Sequence, residues 1–171
     1  RLDGPAHPFR LDALHSLANA YLRAKKLPEA EAAFREELEI MRRDLDVLNP
    51  LDEAGVIANL AATLLQRHEA EGNQAVLREA EALLRQALAN VGGSLSQPSA
   101  RLAIAPIRSL LGLCLTRQSR PDEAAAILDD ALRSFMESDR QSTTNGLMTR
   151  LNLARALTTR VDTRKRAFSS T

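Results

Sequence analysis

Leu17-Ala18-Asn19-Ala20-Tyr21 is the string on which the fold turns, because its pattern returns three times. Leu60-Ala61-Ala62-Thr63-Leu64, Leu111-Gly112-Leu113-Cys114-Leu115 and Leu153-Ala154-Arg155-Ala156-Leu157 follow it at intervals of 43, 51 and 42 residues. Each string has a large apolar residue, then Ala or Gly, then a large residue three positions on. On a helix, positions four and seven apart share a face, so Leu14, Leu17, Ala18 and Tyr21 are expected to form one apolar stripe. The small residue within it admits a neighbouring helix, and the bulky ones fill the gaps on either side.

Working outward, three of the strings lead into a second helical pattern: Ala30…Phe34…Leu38, Ala80…Leu84…Ala87-Leu88 and Ala124…Leu128…Ala131-Leu132. Between the first pair of helices, Lys25-Lys26-Leu27-Pro28 makes a tight turn, with proline at a first helical position where its missing N–H costs nothing. Ser119-Arg120-Pro121-Asp122-Glu123 repeats the device before Ala124. Each unit is therefore a helical hairpin.

Composition agrees. The 171 residues are 44% hydrophobic and 26% charged, the balance of a folded protein, with only 3% aromatic residues and no Trp. An Ala- and Leu-rich palette suits close helix packing and suits strands poorly. A formal net charge of +1 gives no global field toward nucleic acid or an acidic membrane surface. The single cysteine, Cys114, excludes an internal disulfide framework and a multi-cysteine zinc site. No apolar run is expected to approach the roughly 18 to 20 residues that cross a bilayer. The start, Arg1-Leu2-Asp3-Gly4-Pro5, reads as a piece of a longer chain, and a cytoplasmic location is expected.

The periodicity predicts about seven helices, over 9–24, 28–46, 52–69, 74–91, 100–117, 121–137 and 144–160. They group as hairpins 9–46, 52–91 and 100–137 with a capping helix 144–160, all in one repeat domain over 1–160. The capping helix covers the apolar face of the third hairpin, since each repeat buries its core only against a neighbour. A basic tail, 161–171, is expected to be disordered, as are the first six residues.

These hairpins resemble tetratricopeptide repeats, in the long variety with a period of about 42 residues found in kinesin light chains and many bacterial signalling proteins. His7-Pro8 and Asn49-Pro50, 42 apart, resemble the His-Pro that opens such repeats. The resemblance implies an all-α, right-handed α-solenoid of antiparallel hairpins that binds a protein or linear peptide along its concave groove. The chain departs from the pattern in four places. Glu37 stands where the second helix usually has Ala. Seven extra residues around Gln66–Asn73 are expected to lengthen a helix or bulge the turn. Gln97-Pro98 comes late, and the fourth hairpin has a first helix only.

In the family, exposed residues of the first helices do the binding. The matching positions are Asp12, His15, Ser16, Asn19 and Arg23, then Asn59, Ala62 and Gln66, then Ser109, Leu113, Thr116 and Arg117, and lastly Asn152 and Arg155. A groove asparagine can both donate to and accept from an extended peptide backbone, whatever the peptide's side chains. Asn59 and Asn152 occupy the same hairpin position and resemble the recurring Asn-Leu-Ala of kinesin-light-chain-like repeats. Asn19 and Asn59 also match the asparagines of the carboxylate clamp by which some tetratricopeptide co-chaperones hold an acidic C-terminus. The basic members of that clamp are missing, with His15, Pro106 and Leu110 in their places, so the clamp is excluded.

Catalytic and metal chemistry find no starting point. His7, His15 and His68 stand in no metal-ligand spacing, and Cys114 falls in the packing stripe as a small buried hydrophobe. Glu31/Arg35 and Glu39/Arg43 read as pairs one helical turn apart that serve solubility and helix stability. No phosphate-binding Gly-rich loop is present, and Gly92-Gly93 reads as a helix stop. Arg164-Lys165-Arg166 is too short a basic run for specific nucleic-acid binding. The expected function is therefore a peptide- or protein-binding scaffold, neither an enzyme nor a cofactor carrier, without nucleic-acid or membrane partners. Two other roles stay open. One is a regulatory segment of a larger signalling enzyme: Ser109–Leu115 with Arg120–Ala124 looks like the closing repeats behind some bacterial serine/threonine kinases. The other is homo-oligomerisation through an incompletely capped end.

Overall fold

The structure, a computed structural model, describes residues 8–43, 49–92, 98–140 and 142–169. Among these residues it is all-helical: α1 Pro8–Arg23, α2 Leu27–Arg43, α3 Pro50–Glu71, α4 Gln74–Val91, α5 Pro98–Arg117, α6 Pro121–Glu137 and α7 Thr144–Ser169. The helices fall into two compact units, α1–α4 and α5–α7, divided between Val91 and Gly92. His7, Gly93 and Gln97, named above, lie outside the described residues, as does the expected end of the second helix at 46.

In the first unit each helix packs on the next, α1 on α2, α2 on α3 and α3 on α4. Helix α2 shows why. Ala30, Ala33, Phe34, Glu37, Leu38 and Met41 recur at three- and four-residue steps, and all six are buried. Ala18, Ile57, Leu60, Ala61, Leu64, Leu77, Ala80 and Leu84 complete the core. Leu17, expected in the apolar stripe, is instead 45% exposed, with Leu14 and Tyr21 half-buried. Packing of α1 is chiefly against α2, so only the narrow line through Ala18 is covered.

The turns are built by local chemistry. After α1, α5 and α6 a non-glycine residue takes the left-handed conformation: Lys25 at φ 60°, Ser119 at 59° and Asp139 at 52°. In each case the following N–H reaches back five residues to a carbonyl near the helix end: Lys26 to Tyr21 O at 3.0 Å, Arg120 to Leu115 O at 2.9 Å and Arg140 to Phe135 O at 2.8 Å. Helix α3 starts on Asn49, whose Oδ1 accepts from Leu51 N–H at 3.0 Å ahead of Pro50. It ends on Gly72 at φ 67°, whose N–H donates to His68 O at 2.8 Å. The extra residues lengthen this helix and the start of α4, and leave the turn short. Helix α3 has 22 residues against 16 in α1, and Gly72-Asn73 alone joins it to α4. His68 Nδ1–H donates to Asn73 O at 3.0 Å, while Asn73 Oδ1 accepts from Ala75 N–H at 2.9 Å.

In the second unit α5, α6 and α7 all pack on one another. Ile104, Ala105, Leu111, Cys114, Leu115, Leu128, Ala131, Phe135 and Ala156 are buried, with Cys114 in the core and in no disulfide, as its position in the stripe implied. Helices α5 and α6 come so close at Gly112 that a Cβ there would lie 2.3 Å from Leu128 Cγ. Within α5, Ser99–Arg117 is long and apolar enough to cross a membrane, and half of it is buried inside the protein. Helix α7 differs from expectation in two ways. It continues past 160 to Ser169, so Arg164-Lys165-Arg166 lie on a helix. And Ala154, the small residue of the fourth string, faces outward, while Ala156 takes the buried place.

A candidate binding groove on the first unit

Three helices of the first unit line an open groove of about 590 Å³. Helix α1 contributes Leu11, Asp12 and His15, α2 contributes Glu37 and Met41, and α3 contributes Leu51, Asp52, Gly55, Val56 and Asn59. The apolar members form the floor and walls, and Gly55, with nothing within 4 Å of where its Cβ would stand, leaves room on the α3 side.

Glu37 is the least ordinary group in the groove. Its side chain is only 5% exposed although it carries a carboxyl group. His15 Nδ1 lies 3.0 Å from one carboxylate oxygen and 3.3 Å from the other. An ionised carboxylate only accepts, so facing it Nδ1 carries the proton and donates. The imidazole is fixed from the side by Phe34, edge-on at 6.1 Å between ring centroids. Burial pushes the Glu37 carboxyl above the ordinary carboxylate range; the charge and hydrogen bond of His15 pull the other way, and Asp12 adds to the rise. Asp12, Glu37 and Asp52 give the groove three carboxyl groups, and no Lys or Arg is among its described lining residues.

Of the residues expected to bind a ligand, Asp12, His15 and Asn59 line this groove. The Asn59 side chain has no hydrogen-bond partner among the described residues, while its carbonyl accepts from the Thr63 hydroxyl at 2.9 Å. Asn19, Arg23 and Gln66 lie outside it. Asn19 Nδ2 is spent on its own helix, donating to His15 O at 2.9 Å, and Gln66 Oε1 accepts from Lys25 Nζ at 2.8 Å.

The second unit corrects two further expectations. Ser109 and Asn152 are buried, and Asn152 Nδ2 faces Ser109 Oγ at 3.4 Å between α5 and α7. Asn152 Oδ1 is left without a partner. These two residues join α5 to α7. Arg117 is half-buried at the end of α5, and Arg155 is exposed on α7.

Spacing along the sequence gave no sign of the charge networks that bind the first unit together. Glu31 pairs with Arg35 one turn away, as expected, but it also accepts from Arg67 of α3. Arg35 reaches Glu79 of α4 at 2.6 Å, and Arg67 is further held by Glu71 at 3.0 Å. Burial alone would raise the Glu31 carboxyl, but hydrogen bonds and charges from Arg67 and Arg35 hold it below the usual range. A second link runs through buried Glu53, which accepts from Arg42 Nε at 2.7 Å and from Asn90 Nδ2 at 3.4 Å. Partners 36 to 44 residues apart carry no mark in a linear pattern. Among the described residues no group of His, Cys, Asp and Glu is arranged to hold a metal ion.

Compared with models of known protein families and with curated proteins, the chain matches none.

Proposed function

We propose that this chain is a tetratricopeptide-like binding scaffold that holds a linear peptide with a basic residue in the groove between α1, α2 and α3. The observation that carries the reading is the pairing of a free amide, Asn59, with a largely buried carboxyl, Glu37, in one open groove. Asn59 can satisfy a peptide backbone in either direction, and Asp12, Glu37 and Asp52 attract a Lys or Arg side chain or an amino terminus. Repeated hairpins of this length also fit a right-handed solenoid, with the first helix of each pair on the binding side. The groove is read as binding and non-catalytic, because its described lining offers no hydroxyl or thiol nucleophile beside the His15–Glu37 pair.

Peptide-display selection on the full chain tests this. The expected hits are enriched in Arg or Lys and weaken at least about tenfold, some 1.4 kcal/mol, on Asn59→Ala or Asp12→Asn variants that melt like the parent. Hits without basic residues, or binding indifferent to both substitutions, would refute the reading.

A further inference from the structure

Helix α7 buries one face against α5 and α6, through Gly146, Thr149, Asn152 and Ala156. Its opposite face is apolar and exposed. Leu147, Leu151 and Val161 are 51%, 43% and 48% exposed, and Leu157 flanks them. With Ala154 and Thr158 between them, they follow the four- and three-residue steps of a single helical seam. The Thr158 hydroxyl is satisfied within the helix by Ala154 O at 3.0 Å, so it asks nothing of a partner. From Leu147 to Val161 the seam runs about 21 Å, the length of some four helical turns.

Charge says what covers it. In the second unit the helices alternate in sign. Helix α5 carries three arginines and no carboxylate, α6 five acidic residues and one arginine, and α7 five arginines and a lysine with one aspartate. The alternation is used in packing: Arg101 approaches Glu137 at 3.5 Å, and Arg160 and Arg164 approach Asp122 at 3.8 and 3.7 Å. On the outward side, Arg150 and Arg155 flank the seam on its two edges and have no ion-pair partner among the described residues. Lys165 continues it. A second copy of α7 laid on this seam would set one strongly basic helix against another. The seam is also narrow, with about one large apolar residue per turn, which suits a helix better than a lipid surface.

We infer that the outer face of α7 docks an acidic amphipathic helix of a partner protein, with apolar residues at helical spacing along one side and Glu or Asp on the edges. This surface is separate from the α1–α3 groove and does not rest on its function.

The test is fluorescence anisotropy of the full chain with a designed helical peptide bearing Leu along one seam and Glu on both edges. Controls are the same peptide with Lys for Glu and a scrambled peptide of equal composition. The acidic helix is expected to bind, more weakly as salt rises, with neither control binding. Leu147→Ser/Leu151→Ser/Val161→Ser, at positions already exposed, and separately Arg150→Glu/Arg155→Glu should each weaken it at least about tenfold. Asn59→Ala should leave it unchanged. Equal binding of the Lys peptide, or binding that both α7 variants retain, overturns the inference. So does sedimentation showing a dimer that the triple Ser variant abolishes, which would make a second copy the occupant. Binding to mixed phosphatidylcholine and phosphatidylglycerol vesicles, lost with the same variant, would instead assign the seam to a membrane.

Discussion

Replacing Gly112 with Ala should destabilise the protein, against the usual direction of that substitution in a helix. In a helix interior with free space, Gly→Ala stabilises by roughly 0.8–1 kcal/mol, because Gly loses more backbone freedom on folding. At Gly112 a Cβ would lie 2.3, 2.7 and 2.9 Å from Leu128 Cγ, Cδ2 and Cδ1. Non-bonded carbons sit comfortably at about 3.5–4.0 Å, so the nearest overlap exceeds about 1 Å. Because Cγ is the branch point of Leu128, a turn of its terminal methyls cannot relieve the clash. The side chain must leave its rotamer or α5 and α6 must move apart, at a typical cost of about 1–3 kcal/mol. Subtracting the helix-propensity gain leaves a net loss of up to about 2 kcal/mol. Gly55→Ala on α3, with nothing within 4 Å, provides the internal control and should stabilise by about 1 kcal/mol. Urea unfolding of both variants, with Leu128→Ala alone and combined with Gly112→Ala, makes the test a double-mutant cycle. The loss from Gly112→Ala should shrink or reverse once Leu128 is Ala. If Gly112→Ala stabilises like Gly55→Ala, or if the two changes simply add, the close approach of α5 and α6 is wrong.

Glu37→Gln should change how stability depends on pH. The raised carboxyl of Glu37 favours the fold in its protonated form, and that contribution fades as pH rises through its elevated value. Denaturant midpoints of the Gln variant should therefore gain on the parent as pH climbs past about 4.3, each tenfold change in proton affinity being worth about 1.4 kcal/mol. Parallel profiles would show that Glu37 is not strained. Lys25→Gly and Ser119→Gly should each raise the melting temperature, stabilising the fold by about 0.5–1 kcal/mol apiece, since both side chains occupy left-handed backbone at φ 60° and 59°. The two gains should add, and a loss at either site would mean that its side chain earns its strained place through a contact.

Much of the helical framework could be read from spacing, because three- and four-residue steps of Ala, Leu and Phe dictate which face is covered. Phe34, Leu60, Leu84 and Leu128 are buried where that rule puts them. The same rule failed for Leu17 and Ala154, since a stripe is buried only as far as a neighbouring helix extends over it. Asp12, His15 and Asn59 were legible as groove residues because each faces away from the buried line of its helix. Asn152 was not: it sits in the same hairpin position as Asn59, yet α5 closes over it. Glu37 was visible in the sequence as an anomaly in a packing position. That His15 answers it from 22 residues away could come only from the folded chain.

The order in which helices meet has a kinetic consequence. Every packed pair joins neighbours in the chain or, for α5 and α7, next neighbours. Loop closure is thus short throughout, and little entropy is surrendered before native contacts repay it. Chains with such local wiring fold in microseconds to milliseconds, well ahead of sheet proteins of similar size. A nascent chain can bring α1 onto α2 as soon as both have emerged, and α3 then covers the rest of α2 when it follows.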